Sequence, residues 1–213
     1  MMKDRVLAWI YGHALNRLSA FSRYRFESVY RSGNGFGTLE MHENIASAVF
    51  EALPSKRFKS ALDLGCGYGF FTNRIAENSD SVKGIDISQT AIQNARACRH
   101  PRARFLTADV INYCGTDGEY DLIICMGIIP YLPERCLPAV RQNIDRMLDA
   151  GGILLLFERK GATGSNYQRF LEGFGYPLRL LPLSINGTDF KMYLMEKTQM
   201  KTTEAIMNER QLA

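Results

Sequence analysis

The feature that most constrains this chain is the run Ala61-Leu62-Asp63-Leu64-Gly65-Cys66-Gly67-Tyr68-Gly69-Phe70-Phe71-Thr72, where an apolar strand passes through three alternate glycines into a helix. Glycine carries no Cβ, so the backbone at 65, 67 and 69 can lie directly against a ligand. The helix that follows turns its unpaired N–H groups on the same spot, which makes the turn a nucleotide cradle. Two residues narrow the choice of nucleotide. The dinucleotide fingerprint needs a small side chain for close helix–strand packing at the position held here by Phe70. Asp63, just ahead of the turn, repels a pyrophosphate and attracts a cationic or amine-bearing ligand.

Four more marks follow in order. Lys83-Gly84-Ile85-Asp86-Ile87-Ser88 is a strand ending in an acid 21 residues after Gly65, where a carboxylate can accept hydrogen bonds from both ribose hydroxyls. Phe105-Leu106-Thr107-Ala108-Asp109-Val110 is a shorter strand closing on a second acid. The stretch from Glu119 to Gly127 is a buried parallel strand opening into a loop, and Met147 to Leu156 carries paired glycines that end a helix and start another apolar strand.

In this order and spacing the chain resembles the class I S-adenosylmethionine-dependent methyltransferases, from about residue 60 to residue 196. The resemblance implies an α/β fold: a Rossmann-like three-layer sandwich whose seven-stranded, mostly parallel sheet ends in an antiparallel C-terminal hairpin. It implies S-adenosyl-L-methionine as cofactor, with S-adenosyl-L-homocysteine as product. The matching positions nominate Asp63, Gly65, Cys66, Gly67 and Gly69 for the cradle, and Asp86 with Ile87 for the ribose. They nominate Asp109 with Val110 for the adenine, whose exocyclic amine suits a carboxylate acceptor, and Cys125 with Met126 for the end of the fourth strand.

Local patterning supplies the same architecture. Strands are expected at 60–64, 81–87, 103–107, 120–125 and 153–157, alternating with helices at 70–78, 89–98 and from Pro133 or Glu134 to Leu148, the rhythm of parallel βαβ units. A helix over 39–53 precedes them and ends at Pro54, and Ser32 to Gly37 reads as a flexible loop. A further helix near 165–173 leads to two apolar runs joined by Asn186-Gly187, a hairpin signal. The domain plan is a helical lid over 1–54, a core over 55–197 and a flexible tail over 198–213.

At 213 residues and 46 % hydrophobic, the chain can bury one substantial core but not two ordinary ones. No apolar run approaches the roughly 18 residues of a membrane span. Five cysteines without a C-x-x-C pair or a His cluster read as reduced thiols in a cytoplasmic protein with no metal site. Charge is concentrated at the start: residues 1–31 carry six cations against two anions, a net +4 equal to that of the whole chain. Leu7, Ile10, Tyr11, Ala14, Leu15 and Leu18 share one helical face there. Such a basic amphipathic helix serves as an extra lid over the cofactor mouth, a membrane-surface helix or a grip on an anionic substrate.

Methyl transfer from a sulfonium needs alignment and exclusion of water more than a general base. The loop Cys125 to Leu132 brings the acceptor in this fold. Its Ile129-Pro130-Tyr131 lacks the acid or Asn and the second proline of DNA and glutamine N-methyltransferases, and no acid between Asp121 and Glu134 supplies a catechol-type metal ligand. Tyr131 is the candidate pocket wall, and His42, beside Glu43, the candidate base, each weighed against plain packing or a surface position. Tyr24 and Tyr30 could cover the cofactor's methionine end, and Glu158, Arg159 and Lys160 could meet a polar acceptor. His13 and His100 carry no convincing role.

The expected acceptor is an N or O nucleophile of a small metabolite, sugar or natural-product intermediate, in the manner of the nodulation-type N-methyltransferases that the chain loosely resembles. The competing classes are an RNA or tRNA methyltransferase using the basic arm, a non-catalytic cofactor-binding partner subunit and, lower, a NAD-binding oxidoreductase. Assembly as a homodimer is left open.

Overall fold

Buried strands with apolar residues on both faces organise the molecule. The computed structural model describes residues 18–33, 39–159 and 165–198. The basic amphipathic face expected from Leu7 to Leu18 and the expected tail fall almost entirely outside these residues, as do His13 and Lys160. The described elements are α1 (Leu18–Arg31), α2 (Leu39–Ala52), β1 (Phe58–Leu64), α3 (Phe70–Glu77), β2 (Ser79–Asp86), α4 (Gln89–Ala97) and β3 (Ala103–Thr107). They continue with β4 (Tyr120–Met126), α5 (Leu137–Met147), β5 (Leu148–Arg159), α6 (Ser165–Leu171), β6 (Leu178–Ile185) and β7 (Thr188–Glu196).

The seven strands form one sheet in the order β3-β2-β1-β4-β5-β7-β6. The first five pair in parallel, and β7 runs antiparallel to both β5 and β6. The hairpin expected at Asn186-Gly187 forms with φ of 49° and 73°, the two positive values that a type I′ turn requires. The sheet matches the α/β Rossmann-like architecture expected from the sequence, down to the antiparallel end.

Alternate residues of each central strand face opposite layers. Ala61, Leu122, Ile124, Leu155 and Phe157 pack with α2, α3 and α4 through Val49, Ile75 and Ile92. Leu62, Leu64, Ile123, Leu154 and Leu156 pack with α5 and α6 through Val140, Ile144, Tyr167 and Phe170. Coverage on both sides explains why these strands read as unbroken apolar runs.

Two boundaries differ most from expectation. The glycine pair lies inside β5, which starts at Leu148 rather than Ile153. Gly151 N–H donates to Lys197 O at 2.8 Å and Lys197 N–H to Gly152 O at 2.9 Å, so the chain just beyond β7 holds the glycines in the sheet. The helix expected from Pro133 begins as a 3-10 turn, Glu134–Cys136, before α5. No described helix is long and apolar enough to cross a membrane.

The chain leaves β1 toward β2 and β3 and then returns to β4 on the other side. The carboxyl ends of β1 and β4 therefore flank a topological switch point, where open α/β sheets bind ligands.

Candidate active site at the sheet switch point

The glycine turn is tied down from below. Gly65 and Cys66 both donate N–H bonds to Ile85 O at 2.9 Å, and Gly67 N–H donates to Asp86 Oδ2 at 3.0 Å. The glycines are needed for different reasons. Gly69, at φ 80°, would drive a Cβ to 2.6 Å from the Phe105 ring, so its smallness lets α3 settle on the sheet. Gly67, at φ 52°, faces the lid instead, with a Cβ there reaching 2.9 Å from the Tyr30 hydroxyl. Above Gly65 stands Ile128, whose side chain a Cβ would strike.

Asp86 ends β2 nearly buried, with Oδ1 accepting Ser88 N–H at 2.9 Å. Burial raises its pKa, and the backbone N–H bonds from Ser88 and Gly67 oppose that rise without cancelling it. Each oxygen keeps acceptor capacity for a further donor. Asp109 lies at the same rim, since Ala108 N–H donates to Asp86 O at 2.9 Å. Its Oδ1 accepts Ile111 N–H at 3.0 Å, while Oδ2 is buried with no partner among the described residues. Ile87 and Val110 sit half-buried beside these acids.

Asp63 has a partner that the sequence did not indicate. It is 1 % exposed, and the Thr72 hydroxyl donates to its Oδ2 at 2.6 Å, fastening α3 beneath the cradle. Burial, with the nearby charge of Asp86 adding to it, pushes its carboxyl up to about 7 against the lowering effect of the Thr72 bonds. Cys66 is buried in the turn, and Cys125 is buried in the core, its thiol pushed up by burial. Cys125 can therefore meet a ligand through its backbone, whereas Met126 is half-buried at the strand end.

A latch holds α1 over this rim. Glu27 accepts hydrogen bonds from Ser88 Oγ at 2.7 Å, Thr90 Oγ1 at 2.5 Å and Thr90 N–H at 3.3 Å, at the amino end of α4. Burial works to raise its pKa, but the bonds from Thr90, Ser88 and Arg31 outweigh it and hold the carboxyl at about 2. A carboxylate at a helix N-terminus also meets the positive end of the macrodipole. One turn further on, Tyr30 is buried over the cradle, its carbonyl accepting the Tyr68 hydroxyl at 3.0 Å. Tyr24, nominated with it, is 75 % exposed: six residues apart on a helix, the two side chains leave it in different directions.

On the β4 and β5 side, Tyr131 lies in a 3-10 turn, Ile129–Tyr131, with its ring 41 % exposed. Phe26 of α1 meets it edge-on at 5.3 Å between centroids, and the Arg25 guanidinium lies 5.7 Å from its centre. His42 packs instead against Phe70 and Phe71 at 5.4 and 5.8 Å, joining α2 to the start of α3, and Glu43 is exposed. His100 shapes the turn before β3, accepting Arg102 N–H at 3.2 Å. Glu158 is buried at the end of β5 and Arg159 is exposed. Sequence reasoning missed Glu27, Phe26, Thr72 and Ile128. For Glu27 the one available signal was its position as the single acid in a basic helix.

These features define a Rossmann-like nucleotide site: a glycine turn, an acid at the end of β2, and an acid beyond β3 with a buried oxygen that lacks a donor. The two acids can accept hydrogen bonds from ribose hydroxyls and from an adenine amine. Comparison with known proteins gives the same class. Residues 61–152 match the family model described as a methyltransferase domain. A ubiquinone biosynthesis O-methyltransferase of Thiobacillus denitrificans is 27 % identical over 128 residues, covering 58 % of this chain and 54 % of the relative. A 2-heptyl-1-hydroxyquinolin-4(1H)-one methyltransferase of Mycobacteroides abscessus is 31 % identical over 104 residues, 46 % of each chain. The chain thus spans about half the length of the curated relatives it matches.

Among solved structures, the N-methyltransferase NodS of Bradyrhizobium japonicum WM9 aligns with a TM-score of 0.66 at 18 % identity, over 77 % of this chain and 100 % of that one. The magnesium protoporphyrin IX methyltransferase ChlM of Synechocystis PCC 6803, solved with bound S-adenosylmethionine, aligns at 0.65 and 17 % identity, over 85 % and 97 %. Residues 61–152 thus match a methyltransferase domain, and the fold of the chain is that of these methyltransferase structures.

Proposed function

We propose that the protein transfers the methyl group of S-adenosylmethionine to an oxygen or nitrogen nucleophile of a small molecule. The observation that carries this reading is the convergence on one rim of the Gly65–Gly69 turn, the Asp86 carboxylate and the unpartnered oxygen of Asp109. In this assignment Asp86 holds the ribose hydroxyls, Asp109 the adenine amine, and the backbone of the turn lies along the methionine end. When bound, the cofactor supplies a methyl carbon already activated by the sulfonium charge.

The chain's own residues then orient the acceptor and keep water out. Helix α1 acts as the lid: Glu27 docks it on the core, Tyr30 closes the cradle from solvent, and Phe26 with Tyr131 forms an aromatic wall beside the end of β4. Alignment and desolvation of this kind supply much of the rate in a displacement at an activated carbon.

A small acceptor is favoured over RNA because two arginines of the basic segment are engaged on the protein itself. Arg25 lies over Tyr131 and Arg31 pairs with Glu27 at 3.1 Å. The relatives whose names state an acceptor or a pathway act on small molecules. The free cysteines, two of them exposed, suit a reducing, cytoplasmic setting.

The test is transfer of isotopic label from methyl-labelled S-adenosylmethionine to a panel of catechols, hydroxyquinolones and amino sugars, with total RNA as a parallel substrate. Label in a small-molecule product supports the reading. Label entering RNA alone would reverse it.

A further inference from the structure

We propose that Glu158 is the acceptor-binding carboxylate of this enzyme and restricts acceptors to molecules presenting an O–H, N–H or ammonium group. The proposal rests on the methyltransferase reading above and goes beyond it by stating which acceptor chemistry the site takes.

Glu158 is the penultimate residue of β5 and is 5 % exposed. The Tyr193 hydroxyl donates to its Oε1 at 2.6 Å, and Lys191 Nζ stands 3.8 Å from the same oxygen. The other oxygen, Oε2, is buried with no hydrogen-bond partner among the described residues. A buried acceptor left unmatched is costly, and native structures leave few of them. Lys191 offsets the charge from a half-exposed position and does not satisfy Oε2.

The location ties this oxygen to the acceptor side. Gly127 N–H, in the loop after β4, donates to Phe157 O at 2.9 Å, which fixes that loop beside the end of β5. The Tyr167 hydroxyl donates to the same carbonyl at 2.6 Å. Tyr167 lies close enough to Glu158, Tyr193 and Tyr131 for their charges to add to the effect of burial in raising its pKa. Helix α6, which carries Tyr167, packs on the turn that holds Tyr131. Tyr167 thus lies within electrostatic reach of both Glu158 and Tyr131, and Glu158 stands on the strand next to β4, which flanks the switch point.

An ionised carboxylate accepts hydrogen bonds and donates none. In a water-poor setting it attracts a hydroxyl, amine or ammonium and repels a second carboxylate. The site therefore selects O–H and N–H nucleophiles and rejects carboxylate acceptors.

The experiment uses the full chain saturated with S-adenosylhomocysteine and three ring-bearing probes: catechol, benzylamine and benzoate. Binding is followed by ligand-observed NMR titration. The expected result is saturable binding of catechol, benzylamine or both, none of benzoate, and at least tenfold weaker probe binding in Glu158→Gln with unchanged affinity for S-adenosylhomocysteine. Benzoate binding as well as the donor probes overturns the proposal without need of any variant. So does failure of both donor probes, or wild-type probe affinity in a folded Glu158→Gln protein. Failure of S-adenosylhomocysteine itself to bind removes the cofactor reading, and is thereby told apart from a failure at Glu158.

Discussion

Glu27 and Ser88, 61 residues apart in the chain, are joined by a 2.7 Å hydrogen bond from the Ser88 hydroxyl to the Glu27 carboxylate. The bond links the lid helix to the residue whose own N–H is held by Asp86, so the lid and the proposed ribose acid share one small network. Ser88 also caps α4 by accepting Ala91 N–H at 3.1 Å. Position of the lid, start of the helix and orientation of the acid are therefore coupled.

Removal of the latch should weaken cofactor binding without contact to the cofactor. Glu27→Ala loses charge-assisted bonds of about 1.5–3 kcal/mol each before relaxation, and we expect at least a tenfold rise in the S-adenosylhomocysteine Kd by calorimetry. Amide exchange across residues 18–31 should accelerate. The carboxyl sits at about 2 in the folded protein and near 4.5 when free, so its contribution is complete above 4.5 and fades as pH falls toward 2. Unchanged exchange in the variant would show that the latch does not hold α1.

Asp63 should give the ligand-free protein the opposite pH dependence. Its carboxyl is raised from 3.8 to about 7, so the stability linked to its protonated form is complete below 3.8 and lost as pH rises through 7. Thermal unfolding from pH 4 to 8 should show this fall, and Asp63→Asn should flatten it. Thr72→Val, which strands a buried acceptor, should cost about 1–3 kcal/mol. A pH slope identical in wild type and Asp63→Asn would remove the assignment.

Gly69→Ala should destabilise the fold rather than the ligand site alone. The new methyl would meet the Phe105 ring at 2.6–2.7 Å and the Ala95 Cβ at 3.0 Å, in a left-handed backbone. Overpacking of about 1–3 kcal/mol and a backbone term of about 1–2 kcal/mol both apply. Denaturant unfolding should show a combined loss of at least ~2 kcal/mol, and wild-type stability would contradict the packing role.

Asp109→Asn tests the adenine side. The unpartnered oxygen should prefer an amine donor, so wild type should bind S-adenosylhomocysteine at least tenfold more tightly than its inosine analogue, and the variant should narrow that gap. An equal preference in both proteins would place the adenine elsewhere.

The parts of the molecule that depend on local chemistry were legible in the sequence. The glycine turn, the acids at 86 and 109 and the Asn186-Gly187 hairpin announce themselves because backbone conformation and strand ends dictate residue type there. The extent of β5 was not, because glycines normally weaken a strand and only the Lys197 backbone bonds, from a distant segment, keep these two in the sheet. In the sequence Glu27 registers only as an anion of the basic segment, and Glu158 only as a polar residue after the expected fifth strand, since the partners that define them are brought up by α4 and β7. The choice between Tyr24 and Tyr30 depended on helix phase relative to a core that lies elsewhere in the chain.

The most direct test of the account is calorimetric titration of the purified protein with S-adenosylhomocysteine, in parallel with Asp86→Ala and with NAD as a control. The account predicts saturable micromolar binding that Asp86→Ala weakens at least tenfold, and no response to NAD. Absence of binding to S-adenosylhomocysteine, or binding of NAD in its place, would contradict it.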